Sequence, residues 1–578
     1  MKENWQIQLM YSNLDEIEKD LNQIVENTKR MQELSKDPKQ NLLDILQLME
    51  KGSILAEKLL VYSSMKKDED SRVSQSQRIH GQASKNYSDF ASSLAFLRPY
   101  LLSLDEESQN KLLEDPAYDY FKKFLKEIFR YKEHTLSEKE EFLLSKLAFA
   151  NEAPGEIYYY LTNADLKFPD LSDGRQLTNS NFTLLQKEVD ASIRKEAFEK
   201  FYMTYKSFGN TFATSYYNNV RLLTTQAELR SFPSARSMEL FEDDVDVSVY
   251  DALLASVKDY QKYLHRYYKK KKEFLGLEEQ HMYDVYLPLV KGKAKKYSYE
   301  EAVDLCIASV APLGKEYQDI YRSAFEDGWI DVYPRLGKAS GAYSSGSYKS
   351  YPYILLNFDG SLDSVFTLAH EMGHSMHSYY AKNNNPFLYY GYTIFAAEVA
   401  STFNENLLLE YLKNNAKTKE EKLLLLDHHL DSFKSTVFRQ TMFAEFEHIV
   451  HAKIEKGEVL TQDDFDQIYK TLNKNYYGED LMTDDLISHE WMRIPHFYRN
   501  FYVYKYATGY CAATILSKGV LEEGEEKVKD YIRFLKDGSN HFPIDQLKMA
   551  GCDMRDQETV NKALEVFGSL VEELEDME

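Results

Sequence analysis

Three histidines and a glutamate stand within the fifteen residues FTLAHEMGHSMHSYY, positions 366 to 380, of a 578-residue chain that holds only 14 histidines. His370 and His374 are four apart, so on a helix they lie one turn above the other on the same face, where two imidazoles can converge on a zinc ion. Glu371 sits beside the first of them, placed to reach a water on the metal and act as general base; the pattern H-E-x-x-H carries that chemistry. A catalytic zinc takes three protein ligands and leaves its fourth position to water. His377 is the nearest further candidate, but it is seven residues from His370, about 10 Å along an unbroken helix. It therefore reads as a packing histidine or as support for a ligand, and only secondarily as a ligand itself. The better third ligand is Glu398 in TIFAAEVASTFNENLLLEYL. There Glu398, Ser401, Thr402, Glu405, Leu409 and Leu412 share one helical stripe, which turns two carboxylates toward leucines, and a buried carboxylate needs a cation or hydrogen bonds. Glu405, two turns on, is placed to orient a ligand histidine through its free ring nitrogen.

These side chains need two helices and a turn. Leu362, Val365, Phe366, Ala369, His370, Gly373, His374 and His377 fall on one stripe, with Ser361 or Asp359 available as the cap. A turn through NNNPFLYYGY and an antiparallel helix would return Glu398 to the two histidines. Upstream, from Leu14 to about Leu275, apolar residues recur at three- and four-residue spacing, as in DYFKKFLKEIFRYKEH and EKEEFLLSKLAFANEA, and predict amphipathic helices packed on one another. Between 276 and 360, HMYDVYLPLV, GWIDVYPRLGKASGAYSSGSYKS and YPYILLNFDG are β-branched and aromatic, bounded by Gly, Ser and Pro, and predict a small sheet. Helices resume from 361 to the end, which closes on the acidic tail VEELEDME, read as solvated. The expected division is an N-terminal helical domain over 1–195 and a catalytic domain over 196–578.

The balance of 70 Lys and Arg against 93 Asp and Glu, a net charge of -23, opposes binding to nucleic acid and to anionic membranes. The run Lys269 to Lys272, after Tyr267 and Tyr268, is the one stretch with the look of a basic patch, and it reads as a solvated helix face. The three cysteines, Cys306, Cys511 and Cys552, are widely spaced and lack a CxxC, which predicts no disulfide framework and a reducing compartment. No apolar run reaches membrane-span length and the first residues lack the apolar core of a signal peptide, so a cytoplasmic location is expected. The glycine-rich GKASGAYSSGSY lacks the order of a phosphate-binding loop and reads as flexible backbone near substrate.

With these residues in place, the chain resembles the thimet oligopeptidase and oligoendopeptidase F family of zinc metallopeptidases, its oligoendopeptidase F branch most closely. The resemblance rests on FTLAHEMGHSMHS, on EVASTFNE, on GAYSSGSYKSYPYILLNF and on WMRIPHFYRNFYVYKYATG. It implies a mainly α, two-lobed fold with a deep substrate channel, one zinc ion per chain at its floor, and a small β-sheet beside the active-site helix. The sheet's edge strand, expected within 349–358 and represented by Tyr351, Tyr353 and Leu355, would pair with an extended peptide. The implied activity is endopeptidase cleavage of unstructured oligopeptides, with a zinc carboxypeptidase or dipeptidase on the same scaffold as the alternative and a peptide-binding protein with a structural metal well behind. The family's hydrogen-bond donors to the oxyanion map to His496 and to Tyr502 and Tyr506, with the choice among Tyr498, Tyr502, Tyr504, Tyr506 and Tyr510 left open. Nothing in the sequence sets an oligomeric state.

Overall fold

A computed structural model describes residues 1–290 and 295–577. The chain is mostly helical with one three-stranded sheet and divides into two compact units, each assembled from three separate stretches. Residue 195 lies inside a stretch of the second unit.

The first unit takes Met1–Thr135, Ala294–Tyr411 and Leu516–Gly551. Its opening helices start where side chains can cap them. Asn13 accepts from the Glu16 amide ahead of Leu14–Leu34, and Asp37 accepts from the Gln40 amide ahead of Pro38–Glu69, whose first residue is the proline that helix starts favour. Met31, Ile45, Leu46, Leu101 and Leu125 are buried together between these and the following short helices.

The sheet also belongs to this unit. Strands β1 (Ile330–Asp331), β2 (Tyr343–Ser345) and β3 (Tyr353–Leu355) run in the order β1-β3-β2, β3 parallel to β1 and antiparallel to β2. This corrects two expectations. The segment HMYDVYLPLV holds a short 3-10 turn, Met282–Asp284, with a single bridge from His281 to Met482, and no strand of the sheet. The strand within 349–358 is the central one, with Tyr353 and Leu355 fully buried, while Tyr351 lies outside it against Trp329. The edges are β1, whose two residues are buried, and β2, whose three residues are half-buried.

The glycine-rich stretch before β2 is pinned rather than loose. The Lys338 ammonium, wholly buried, donates to the Asp331 carboxylate and to the carbonyls of Asp331, Tyr333 and Leu356. On the other side the Ala339 amide donates to the Asp68 carbonyl and the Gly337 carbonyl accepts from the Ser71 amide. Gly337 has φ +90, and a Cβ there would lie 2.3 Å from the Asp70 carboxylate.

The second unit takes Leu136–Lys293, Leu412–Ile515 and Cys552–Glu578. Helices Val247–Leu275 and Gln557–Asp576 pack along each other at its centre. Here the lysine run departs from its solvated reading. Lys271 is buried one turn beyond Tyr267, where its ammonium reaches the Val285 carbonyl and the Tyr267 hydroxyl. The acidic tail is helical through Asp576, with Val571 and Leu574 buried and Glu575 bonded to Arg266, while Glu578 lies outside the described residues. Helix Glu138–Asn151, expected to be amphipathic, has no buried residue; Phe142, Leu143, Leu147 and Phe149 are exposed because its apolar residues are spread around the axis.

Candidate metal centre

The motif helix runs from Leu362 to Asn384, capped by Ser361, whose side chain accepts from the Ser364 amide. Helical spacing places the His370 and His374 rings in contact with their Nε2 atoms 3.2 Å apart. That separation suits two ligands of one tetrahedral zinc. The following helix, Ile394–Asn415, brings Glu398 within 3.8 Å of His370 Nε2. One ligand atom from each of His370, His374 and Glu398 lies within 4.8 Å of the other two, and this is the one such grouping of three among the described residues.

The two helices approach so closely because position 373 carries no side chain. A Cβ on Gly373 would sit 2.6 Å from both the Ala400 carbonyl oxygen and the Ser401 Cα. Any larger residue would push the Glu398 helix away from the histidines.

The remaining polar atoms of the site are oriented by neighbours. The Glu405 carboxylate takes His370 Nδ1, and the Ala397 carbonyl holds the ring of His374. Each imidazole is thus bonded at its far side and free to aim Nε2 at the shared point. His377 is buried away from it, stacked on Tyr392 at 3.8 Å and tilted against Phe534. Tyr392 in turn donates its hydroxyl hydrogen toward the His374 carbonyl.

Electrostatics gives the site an unmet need for positive charge. Glu371, Glu398 and Glu405 crowd together, and no Lys or Arg pairs with any of them among the described residues. Burial raises the Glu371 carboxyl to about 7, partly offset by His370 and by the Ser344 amide. Burial also raises Glu398. His370 moves the other way from an ordinary buried imidazole: burial pulls it down, but the bond and charge of Glu405 outweigh that and lift it to about 9. His374, with burial and the charge of His370 both against it, falls to about 3. One carboxylate oxygen of Glu371, Oε2, is buried with no hydrogen-bond partner. Clustered carboxylates, converging imidazole nitrogens and an orphaned carboxylate oxygen together fit a divalent cation carrying a water.

Sequence reasoning overlooked β2 as a neighbour of this helix. Ser344 Oγ bonds Ser375 Oγ of the motif helix at 2.8 Å, and its amide faces Glu371. The signal was present as the short polar alternation in GAYSSG, but it carries less apolar weight than YPYILLNF.

His496, Tyr502 and Tyr506 belong to the second unit, where they form a cluster of their own. The Tyr506 hydroxyl lies 3.4 Å from His496 Nε2, the rings of His496 and Tyr502 are nearly parallel at 6.3 Å, and Tyr502 meets Tyr506 edge-on at 5.4 Å. All three are half-buried. Tyr504 and Tyr510 are buried, and Tyr498 packs on Tyr158. Burial and the nearby Arg499 lower the His496 imidazole.

Known proteins share both the fold and the sequence pattern. The crystal structure of oligoendopeptidase-F from Enterococcus faecium superposes with a TM-score of 0.75 at 31% identity, covering 97% of this chain and 98% of that one. A solved structure from Chlamydophila abortus matches with a TM-score of 0.94 at 34% identity over 99% and 98% of the two chains. Oligopeptidase PepF of Bacillus subtilis (strain 168) is 40% identical over 96% of this chain and 84% of its own length. The model of peptidase family M3 matches residues 184–566, and that of the oligopeptidase F N-terminal region matches 101–168. The chain belongs to peptidase family M3. Membership assigns peptidase activity on oligopeptides.

Proposed function

We propose that this chain is a zinc-dependent endopeptidase that hydrolyses internal bonds of unstructured oligopeptides, with His370, His374 and Glu398 holding one zinc ion per chain and Glu371 as general base. The observation that carries the reading is the Glu371 carboxyl, buried beside the converging ligand set with one oxygen lacking a partner. A zinc ion, when bound, supplies the Lewis acidity that acidifies a water and polarises a peptide carbonyl. Glu371 takes the proton of the attacking water and passes it to the leaving amine. Glu405 and the Ala397 carbonyl keep the two imidazoles aimed during that exchange. His496, with Tyr502 or Tyr506, donates hydrogen bonds to the developing oxyanion.

Substrate binding follows from the sheet. β2 pairs on one side only, so an extended peptide can add along its other side through main-chain bonds that do not depend on side-chain identity. This replaces Tyr351, Tyr353 and Leu355 with Tyr343–Ser345 as the peptide-binding strand. The family match over 184–566 supports 196–578 as the catalytic part of the sequence, while each compact unit draws on residues from both sides of position 195. The three cysteines are free and buried, in keeping with a cytoplasmic protein.

Glu371→Gln tests the reading. It should lower turnover of a defined oligopeptide by about 10³-fold while elemental analysis still finds one zinc per chain. Mass spectrometry of the wild-type digest should find internal fragments; terminal residues alone would make it an exopeptidase. Unchanged turnover in Glu371→Gln would remove Glu371 as the base.

A further inference from the structure

Among the described residues three that are not glycine have a positive φ: Ser231, Asp244 and Phe501. Ser231 and Asp244 are exposed polar residues. Phe501 is a buried aromatic at φ +52, and left-handed backbone is costly for a residue with a Cβ unless its surroundings over-determine it. Directly before it comes the 3-10 turn Pro495–Tyr498, which carries His496; directly after it come Tyr502 and the helix Tyr504–Glu523, which carries Tyr506. The turn at Phe501 therefore sets where the two tyrosines stand relative to the histidine.

The turn is held from the helix Arg439–Glu455. The Phe501 amide donates to Glu447 Oε1 at 2.7 Å. The Phe501 ring lies against His451, one turn beyond Glu447 on that helix, at 4.5 Å. It also meets Tyr250 edge-on, and the Tyr250 hydroxyl is itself bonded to the Ala444 carbonyl of the same helix. Glu447 is a poor choice for a merely structural site. It is fully buried, its Oε2 has no partner, and the charge that bears on it, Glu239, has the same sign. Burial holds its carboxyl far above the ordinary range. A buried carboxyl with one oxygen unpartnered is expensive, so its presence calls for something that an apolar residue could not supply: an acceptor for an amide that the left-handed turn points into the core.

We propose that Glu447 is a positioning residue, which by accepting the Phe501 amide hydrogen fixes the left-handed turn that presents His496, Tyr502 and Tyr506 as one cluster. The functional part of this inference rests on the reading of that cluster as oxyanion donors.

The test uses the full zinc-loaded chain. Glu447→Leu should lower kcat by about 30- to 100-fold, the size expected of a small misplacement, with KM within about threefold of wild type. Glu447→Gln keeps a carbonyl acceptor and should restore kcat to within about threefold of wild type. NMR of the His496 ring reports the arrangement without turnover, since its shift depends on the tyrosine faces beside it: the signal should move in Glu447→Leu and stay in Glu447→Gln. If Glu447→Leu does not fold, Glu447→Met takes its place, filling the same space without an oxygen to accept the amide, with the same fall in kcat and the same moved signal expected. Full kcat together with an unmoved His496 signal in the variant used overturns the proposal. His496→Ala, run in parallel, separates the two readings. If it keeps full turnover, the donor role fails, and the His496 signal in the Glu447 variants still decides whether Glu447 positions the cluster.

Discussion

Around His370 the functional side chains project from unbroken helices, whereas around His496 the backbone passes from a 3-10 turn through left-handed Phe501 into a new helix. The first cluster gathers charge: three glutamates crowd two histidines, and one of those histidines is drawn up to about 9 against its burial. The second gathers apolar surface, and the histidine behind it, His451, is pushed down to about 3 by burial alongside a neighbouring His448. Helical regularity suffices where ligands must converge on a point, because a four-residue step supplies the distance. Aiming a histidine and two tyrosines from separate elements takes a strained turn and a buried acceptor instead.

The contrast can be broken at its metal end with the largest expected effect. Glu398→Ala should lose zinc on dialysis, a loss exceeding the roughly 10- to 100-fold in affinity typical of a residue that only supports a ligand, while His377→Ala keeps its zinc; the reverse pattern would exchange their roles. Gly373→Ala tests whether close approach of the helices is what assembles the cluster. Overpacking there should cost about 1–3 kcal/mol in denaturant unfolding and weaken zinc retention as well; normal zinc retention would show that the site tolerates a shifted helix.

The smallest effect sharpens the other side. His451 and His429 are each lowered to about 3, by burial first, from an unfolded value of about 6.5. Their contribution to stability is complete above about pH 6.5 and is lost as pH falls toward 3, because the unfolded chain then takes up protons that the folded chain refuses. His451→Phe, which gives up no hydrogen bond because neither ring nitrogen has one, should flatten the fall between pH 6.5 and 5, by a slope that grows toward a limit of about 1.4 kcal/mol per pH unit. Parallel urea titrations of wild type and variant at the two pH values would read this directly.

Much of the candidate metal centre was legible because its determinants are local. His370, Glu371 and His374 share one turn, and Glu398 and Glu405 betrayed themselves by facing leucines. Gly373 was on the stripe, but its importance depends on Ala400 and Ser401 of another helix, which no spacing rule supplies. The edge strand was misplaced for a physical reason. YPYILLNF has the stronger β character, and for that reason its strand is buried at the centre, whereas the polar Tyr343–Ser345 can tolerate the edge. Lys271 was misread because charge runs are judged by composition, while its burial is set by sharing a helix face with Tyr267. Glu447 left no mark in the sequence: one glutamate in a helix looks like any other until Phe501 is found pointing its amide at it.

The ammonium of Lys338 works as a rivet for the sheet. One cation gathers the carboxylate of β1, the carbonyl that follows β3 and the backbone leading toward β2, so three separate pieces of chain are fastened at a single point. Gly337 beside it, held at φ +90 against Asp70, is a joint whose angle is set by that fastening.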